Sequence, residues 1–506
     1  MTLLSRVFGL FRDITLATIF GASGGTDAFL VAFKIPNFMR RLFAEGAFSQ
    51  AFVPVFTEYK EKRSREELQD LVNHVAGSLG SILLMISLAG VIASPIVAFI
   101  FSPGFWFEEG SIRFQLTADL LRITFPYIFF ISLVAFTSGI LNSFNQFAVP
   151  AFTPILLNVC LIIAAFWFTP YFDEPLMALA WAVAAAGLVQ LLFQIPFLGK
   201  LKLLPKPAFK RGHEGVKKIK QLMLPAIIGS SVAQINLLLD TVIASFLITG
   251  SVTWLYYSDR LLEFPLGVLG IAVATVILPA LSRHHAQEST EKFNQTLNWA
   301  IQLVFLIALP ACVGLFLLAA PVLATLFQHG AFLASDTYMS SLSLMAYIIG
   351  LPAFILIKVL APGFYARQDT KTPVRIGIIA LVVNMVLNIA FVVPLVMYDF
   401  EAPHIGLALA TSCSAFINAY LLYRTLIKNG VLHPLPDLAR LLIQIAIACI
   451  SMGVVILLIT PDMNQWDQWA ILERAAAITG IIMIAALCYF VTLWLTGLRL
   501  SQLRRS

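Results

Sequence analysis

The most informative residues in this chain are eight basic side chains that lie inside long apolar stretches. A cation at the centre of a bilayer costs about 3 kcal/mol on insertion scales, so such residues usually face a polar cavity or pair with acids. Five of the eight fall within the first 41 residues. We therefore expect a basic cavity within the membrane, which favours an anionic ligand. The eight residues are Arg6, Arg12, Lys34, Arg40, Arg41, Arg122, Arg260 and Lys358.

Acidic residues accompany these cations at helical spacing. At 100° per residue, Asp27, Lys34, Arg41 and Glu45 fall within about 40° of arc, which makes a polar stripe on one apolar helix. Two further groups cluster in the same way within one or two turns. They are Arg6, Arg12 and Asp13 in the preceding helix, and Asp259, Arg260 and Glu263 in a later one.

Two interpretations of these groups stay open. The acids could neutralise the cations in a purely structural network, or they could orient arginines that bind a substrate. Arginine carries a rigid fork of donors that suits bidentate recognition of phosphate. Arg122 is expected to reach the membrane surface. The candidate substrate contacts are Arg6, Arg12, Arg40 and Arg260, with Lys34, Arg41 and Lys358 as further members of the basic set.

A weaker candidate site consists of oxygen-bearing side chains on three predicted helices. Asp240 lies on one, Asn384 and Asn388 lie one turn apart on another, and Thr411 lies on the next. Oxygen ligands from neighbouring helices suit a small cation such as Na⁺, which would offer a means of coupling. The alternative is ordinary hydrogen bonding between helices.

The composition places the chain among integral membrane proteins. Of its 506 residues, 59% are hydrophobic and 12% are charged, whereas soluble chains carry about 25% charged residues. The apolar runs have the length of helices and lack the alternation of barrel strands. The five cysteines show no CxxC spacing, so no disulfide frame or metal centre is predicted from them.

Apolar stretches broken by proline, glycine and charge predict fourteen transmembrane helices. With the N-terminus in the cytoplasm, the inner loops carry 23 of the 33 Lys and Arg, and the outer loops carry only Arg113 and Arg474. This positive-inside bias predicts that both termini are cytoplasmic. Because the basic residues follow membrane topology, no nucleic acid partner is expected. The predicted helices are 2–20, 27–58, 68–102, 116–141, 150–168, 176–198, 217–248, 252–282, 294–327, 337–364, 373–397, 404–427, 438–459 and 471–496.

Weak internal similarity suggests that the chain contains a repeat. Segment 52–54 resembles segment 277–279, and segment 141–150 resembles segment 364–373. The two pairs are separated by nearly the same number of residues. Parallel repeats of this kind are typical of transporters, with the substrate path between the lobes. The predicted organisation is an N-lobe of six helices, a basic linker, a parallel C-lobe of six helices, and two appended helices. The boundaries are 1–199, 200–221, 222–429 and 430–506.

Several segments resemble one known family, the lipid II flippases (MurJ, formerly MviN). The most specific is RRLFAEGAFS at 40–49, and the similarity extends over essentially the whole chain. The other segments are SRVFGLFRD at 5–13, TDAFLVAFKIPN at 26–37, YYSDRLLEFP at 256–265 and KVLAPGFY at 358–365.

This resemblance implies a transporter of the multidrug/oligosaccharidyl-lipid/polysaccharide superfamily in a bacterial inner membrane. It would carry lipid II, the undecaprenyl-diphosphate-linked precursor of peptidoglycan, to the periplasmic leaflet for cell-wall synthesis. The last two helices would form a groove for the lipid tail. The family's cavity residues match Arg6, Arg12, Asp27, Arg40, Glu45, Asp259 and Arg260, to which we add Lys34 and Lys358.

The expected partners are lipid II, membrane lipid and the cell-wall synthesis machinery. No cofactor is expected, and the driving force would be Na⁺, H⁺ or membrane potential. Alternatives are an O-antigen-like lipid flippase or a cation-coupled drug exporter of the same superfamily. A membrane enzyme acting on polyprenyl diphosphates is disfavoured, because it would need clustered acids on a loop to hold Mg²⁺ and the sequence shows no such cluster. A scaffold is disfavoured because it would not need arginines within the membrane.

Overall fold

The computed structural model describes residues 2–40, 48–209, 212–433 and 438–498. Side chains are described for these ranges except at 2–3, 224–237, 268–269 and 271–275. No β-strand occurs in the described ranges, so the predicted all-α class is confirmed. The chain divides into two compact units, Met1–Thr253 and Trp254–Ser506.

Eleven helices of the described residues build the first unit. Short 3₁₀ turns at Glu109–Ser111 and Thr169–Tyr171 and a π-turn at Ala164–Phe168 separate some of them. The helices are α1 (Thr2–Phe20), α2 (Gly24–Met39), α3 (Ser49–Lys62), α4 (Arg65–Ile92), α5 (Ser94–Phe101), α6 (Pro103–Phe107), α7 (Ile112–Thr124), α8 (Pro126–Ser143), α9 (Ala148–Ile163), α10 (Leu176–Lys200) and α11 (Glu214–Ala244).

Side-chain caps fix where several of these helices begin. Ser23 accepts the backbone N–H of Thr26 at the start of α2. Ser64 and Glu67 form a reciprocal capping box at the start of α4. Each cap satisfies an N–H that the helix itself leaves without a partner.

A column of aromatic rings forms the core between α3, α4 and α8. Phe48, Phe52 and Phe136 are buried, and the Phe52 and Phe136 rings meet edge to face at 5.2 Å between centroids. Leu198 and Leu203 close this cluster from the end of α10. At the edge of this column, Lys60 and Arg65 place their charged groups over the ring of Phe144, which packs against the cluster.

The segment from Leu201 to Phe209, here called the linker strap, lies along the first turns of α4. Its Ala208 N–H donates to the carbonyl of Asn73 at 3.0 Å, and its Lys206 N–H donates to the Asn73 side chain at 2.7 Å. A Cβ at Gly77 would overlap the carbonyl oxygen of Ala208. Glycine at position 77 is thus what lets the linker strap approach the helix.

The second unit is also helical in its described residues. Its first helix, α12 (Ser251–Pro265), begins at the end of the first unit and passes into a π-turn at Leu266–Gly270. The others are α13 (Ile271–Ala286), α14 (Thr290–Leu317), α15 (Ala319–Phe327), α16 (Ala334–Ile349), α17 (Leu351–Tyr365), α18 (Lys371–Met397), α19 (Ile405–Lys428), α20 (Leu438–Ile459), α21 (Met463–Gln468) and α22 (Ile471–Leu495).

The last two long helices pack against the middle of the second unit. Residues of α20 and α22 share one apolar cluster with α14 and α15, in which Trp466 and Ile456 are almost fully buried. The Tyr489 hydroxyl donates to the Leu306 carbonyl at 2.7 Å. These contacts satisfy polar atoms that lipid could not.

Within the described residues, each of the fourteen predicted helices coincides with one helix or with two that follow each other. Prolines explain several breaks, since α5, α8 and α17 each begin with proline in the first turn. Among the described residues, ten helical segments are long and apolar enough to cross a membrane.

The compact units do not end where the predicted lobes do. The first unit runs past the linker at 200–221 and through α11, because α11 packs against α3, α4, α5 and α6. The lobe boundaries drawn from the repeat stay predictions.

Candidate functional site

Among the predicted arginines that the structure describes, Arg12 is the most deeply buried, with 6% of its surface exposed. Its Nη2 lies 2.6 Å from Oδ1 of Asp13, the next residue on α1, and its Nε donates to the same oxygen at 3.0 Å. Its Nη1 donates to Oδ1 of Asn158 on α9 at 3.0 Å, and the guanidinium lies 5.9 Å from the Phe33 ring centre on α2. Three helices therefore fix the orientation of this guanidinium.

The other basic residues at the start of the chain are more accessible. Arg6 is exposed on α1, two turns before Arg12. Arg40 is half-buried, and its Nε donates to Oδ1 of Asn37 at 3.2 Å. Two predicted residues of the polar stripe, Arg41 and Glu45, lie outside the described residues.

Lys34 connects α2 to α11. Its half-buried ammonium donates to the hydroxyl of Thr241 at 3.2 Å. Asp240, the neighbour of Thr241, is half-buried near the end of the same helix. This hydrogen bond joins Lys34 to a residue that is distant in sequence but belongs to the same unit.

Asp27 binds the turn between α11 and α12. The carboxylate has no exposed surface. Its Oδ2 accepts the Gly250 N–H at 2.7 Å, and its Oδ1 accepts the N–H and the hydroxyl of Thr253 at 2.9 and 2.6 Å. Arg113 of α7 approaches Oδ2 at 3.5 Å and also pairs with Glu108 at 2.6 Å. Asp27 is therefore the acceptor that joins the start of α2 to the start of α12.

The second unit carries the predicted group on α12. Arg260 Nη1 donates to Oε2 of Glu263 at 3.0 Å, and its Nη2 donates to the hydroxyl of Tyr256 at 3.2 Å. The guanidinium lies 5.0 Å from the centre of the Tyr256 ring. Asp259 and Arg260 are both half-buried. One helical face therefore presents a guanidinium held between a carboxylate and a phenol.

Lys358 lies on α17 and is exposed. Its aliphatic stem passes Gly270, where an added Cβ would lie 3.6 Å from the lysine Cγ. This places the lysine beside the π-turn that follows α12. π-turns of this kind are a known cause of helix kinks and occur frequently at functional sites.

Three of the four predicted cation ligands come together in the second unit. Asn384 and Asn388 are buried on α18, and the Asn388 amide donates to Oδ1 of Asn384 at 3.1 Å. The Asn384 amide donates to the hydroxyl of Thr411 on α19 at 3.3 Å. Asp240 belongs to the first unit. Of these two hydrogen bonds, one lies within α18 and the other joins α18 to α19. The cation site stays a prediction.

Sequence patterns alone do not indicate the partners that hold the charged residues. Asn158, Thr241 and Thr253 were not singled out, and Arg113 was assigned to an outer loop. The usable signal was their chemistry, because amides and hydroxyls in apolar helices commonly bond to another helix. Which helix each one reaches depends on tertiary packing.

The described groups are suited to binding an anion. Carboxylates, an amide and a phenol hold guanidinium groups in fixed orientations on α1 and α12, and guanidinium groups are donors that suit anions such as carboxylate and phosphate. Comparison with known proteins identifies the kind of chain that carries them. A model of the family described as lipid II flippase MurJ matches residues 16–476.

Curated relatives match over nearly the whole chain. A probable lipid II flippase MurJ of Haemophilus influenzae is 47% identical, with 99% of both chains covered. Another, from Vibrio cholerae, is 48% identical and covers 100% of this chain and 96% of the relative.

Solved structures agree. A lipid II flippase MurJ in an inward closed conformation superimposes with a TM-score of 0.79 at 29% identity, covering 97% of this chain and 96% of that one. An inward-facing MATE transporter of the MOP superfamily gives a TM-score of 0.69 at 16% identity and shares the fold, covering 84% of this chain and 95% of its own. With a family model that spans most of its length and relatives at nearly half identity, this chain belongs to the MurJ family of lipid II flippases.

Proposed function

We propose that this protein carries lipid II from the cytoplasmic to the periplasmic leaflet of the bacterial inner membrane. The observation that carries the proposal is the match to relatives named lipid II flippase over 99–100% of the chain. The positive-inside bias of the loops supports a topology with both termini in the cytoplasm.

The physical obstacle in this transport is the diphosphate. Moving an ionised group out of water without partners is prohibitively costly, so the route must supply compensating donors. Arg12 and Arg260 are each held by a carboxylate, with contacts of 2.6 and 3.0 Å, on helices of different units. Guanidinium groups oriented in this way would bind phosphate oxygens in bidentate fashion.

The remaining charged residues divide by their contacts. Arg6 and Arg40 are proposed as further diphosphate contacts, and Lys34 and Lys358 as sources of positive potential. Asp27 is proposed to act indirectly, since its oxygens are occupied by the Gly250 and Thr253 groups. Asp259 and Glu45 are proposed to orient neighbouring arginines.

The polyprenyl tail requires a different environment from the diphosphate. We assign it to the lipid-facing side of α20 and α22, which pack on α14 and α15 and expose large apolar residues such as Leu457, Leu458 and Leu487. Movement of the two lobes about a central site would give alternating access. Na⁺ bound by Asp240, Asn384, Asn388 and Thr411 is the proposed coupling device, and H⁺ or membrane potential are the alternatives.

The test is a leaflet-specific assay of lipid II in cells depleted of their own flippase and supplied with this chain. Wild-type protein should restore lipid II to the outer leaflet. Arg12→Lys should keep the charge but lose most of the activity, because lysine lacks the fork. Arg122→Lys is the matched control, since Arg122 is half exposed and pairs with Asp119 on its own helix at 2.7 Å; it should transport normally.

Abundance of each variant in the membrane must be measured alongside. Failure of the wild-type chain to move lipid II, at normal abundance, would refute the proposed function. Restoration of growth by export of another lipid-linked glycan, with lipid II unmoved, would favour the O-antigen-like alternative. Full activity of Arg12→Lys would be compatible with the proposed function but would refute the bidentate contact between Arg12 and the diphosphate.

A further inference from the structure

Three side chains that can bind metals converge beside the linker strap. Asp70 and His74 lie on α4, and His213 lies immediately before α11. One potential ligand atom from each falls within 4.8 Å of the others. They stand apart from the charged residues discussed above, and nothing in the transport proposal uses them.

The distances between these atoms approach those of a metal site. His74 Nδ1 lies 3.2 Å from Oδ1 of Asp70, and His213 Nε2 lies 3.3 Å from Oδ2. His74 Nδ1 also donates to the backbone carbonyl of Asp70 at 2.9 Å, so a metal on this nitrogen would displace that hydrogen bond. In a tetrahedral zinc site with bonds near 2.0–2.1 Å, adjacent ligand atoms are about 3.3 Å apart. The two contacts reach different oxygens of the Asp70 carboxylate, and one ligand atom from each residue lies within 4.8 Å of the others, so a bound ion would draw the ligand atoms closer together.

The backbone holds these ligands in place. Asp70 and His74 are spaced i, i+4, so they project from the same face of α4, which is the spacing that metal-binding helices use. The ring of His213 stacks on that of His74 at 4.8 Å between centroids. Close to these ligands, two backbone N–H groups of the linker strap bond to Asn73, which lies between Asp70 and His74 on α4.

The site is also accessible. The His74 side chain is 8% exposed and that of His213 is 14% exposed, whereas Asp70 is 55% exposed. An ion can therefore reach the carboxylate from solvent, and a water molecule can complete the coordination. Two imidazoles and one carboxylate form a donor set that suits zinc and neighbouring divalent transition metals.

The position of the ring proton on His213 determines which hydrogen bonds a bound metal would displace. The backbone N–H groups of Gly215 and Val216 point to His213 Nδ1 at 3.1 and 3.4 Å, so this nitrogen accepts and caps α11. The ring proton then lies on Nε2, facing Asp70. A metal on Nε2 would move that proton to Nδ1, where it would oppose the two backbone donors. Metal binding and the helix cap therefore exclude one another.

We propose that Asp70, His74 and His213 form a binding site for a divalent transition metal of the Zn²⁺ class. The bound ion ties the end of the linker to α4 in place of the hydrogen bonds made by His213. Its effect is to exchange the cap at the start of α11 for a coordinate bond between two elements distant in sequence.

The test uses the full chain without a histidine tag, reconstituted in nanodiscs and treated with chelator. Zn²⁺ is titrated in competition with a chromophoric chelator, and thermal unfolding is followed by tryptophan fluorescence. We expect one tight equivalent and a rise in melting temperature. His213→Asn is the decisive variant, because asparagine is a good N-cap residue and keeps α11 capped. It should unfold like metal-free wild type and bind Zn²⁺ at least about 100-fold more weakly, exceeding the loss typical of outer-shell substitutions.

Three further variants complete the design. His74→Gln and Asp70→Asn should each weaken binding as His213→Asn does. The double variant His284→Asn with His285→Asn removes the adjacent histidines at the end of α13 and should bind as wild type does. Equal Zn²⁺ affinity in wild type and His213→Asn would overturn the proposal. So would loss of the tight equivalent in the control alone, which would place the ion on the α13 pair.

Discussion

Replacing Asp27 by asparagine separates a structural role for this residue from a role in contacting substrate. The carboxylate uses both oxygens: Oδ2 for the Gly250 N–H at 2.7 Å, and Oδ1 for the two donors of Thr253. Asparagine offers one oxygen, so its amide NH₂ must face either Gly250 or Thr253. In both orientations at least one buried donor meets another donor.

The expected destabilisation follows from these contacts. A hydrogen bond to a charged group contributes about 1.5–3 kcal/mol, and leaving a buried donor without an acceptor costs a similar amount. Because the two figures describe partly the same loss, we expect about 3 kcal/mol, roughly a hundredfold in the folding equilibrium. Thr253→Val is the matched control. It removes one hydroxyl donor, keeps the carboxylate, and should cost about 1–2 kcal/mol.

The measurements are thermal unfolding of the purified proteins in one lipid–detergent mixture and abundance in the membrane. Asp27→Asn should lower both clearly, and Thr253→Val should lower them less. Transport per folded molecule should fall little in either variant. The reasoning fails if Asp27→Asn is as stable and abundant as wild type but does not transport lipid II, because the carboxylate would then act on the substrate.

Three further predictions concern other parts of the structure, and one of them has a matched control. Gly77→Ala should loosen the linker strap and increase its cleavage by protease. Gly80→Ala is the control: its added Cβ would have no neighbouring atom within 4 Å, so it should stabilise the protein by about 0.5–1 kcal/mol. Equal protease resistance of the two variants would contradict the close contact at Gly77. Asn158→Ala removes a hydrogen-bond acceptor from the buried guanidinium of Arg12, so it should lower the free energy of unfolding by about 1.5–3 kcal/mol in the same assay. An unchanged melting temperature would count against this contact. Asn384→Leu should abolish any Na⁺-dependent rise in melting temperature, and an equal rise in wild type and variant would remove this residue from the proposed cation site.

The helices could be predicted from the sequence because their signals are local. Apolar length, proline and charge determine where a chain can cross a bilayer, and the predicted segment 176–198 lies within α10, Leu176–Lys200. Proline in a first turn also explains why several predicted helices occur as pairs, as at Pro126. Family membership followed from the motif at 40–49, since such a run of charged and small residues inside a membrane segment is rare.

The partners of the charged residues could not be predicted in this way. Asp27 and Lys34 share a face of α2, and this suggested an ion pair or a common site. Seven residues at 1.5 Å each separate them by about 10 Å along the axis. Over that distance different elements pack against α2, so Asp27 meets the turn before α12 while Lys34 meets Thr241. Helical periodicity gives the face of a residue but not its partner.

The acids beside the membrane arginines have two roles that need not compete. Arg12 pairs with the residue that follows it, and Arg260 pairs with Glu263 one turn later on the same helix. Such pairs can form within a single helix, so they reduce the charge that each helix must carry into the bilayer before any tertiary contact exists. Contacts from another helix, such as Asn158 to Arg12, form only on packing and then fix the direction of the guanidinium. Neutralising a charge during insertion and orienting it afterwards are therefore successive uses of the same side chains. Removing an acid should impair assembly, whereas exchanging arginine for lysine should impair only the later step.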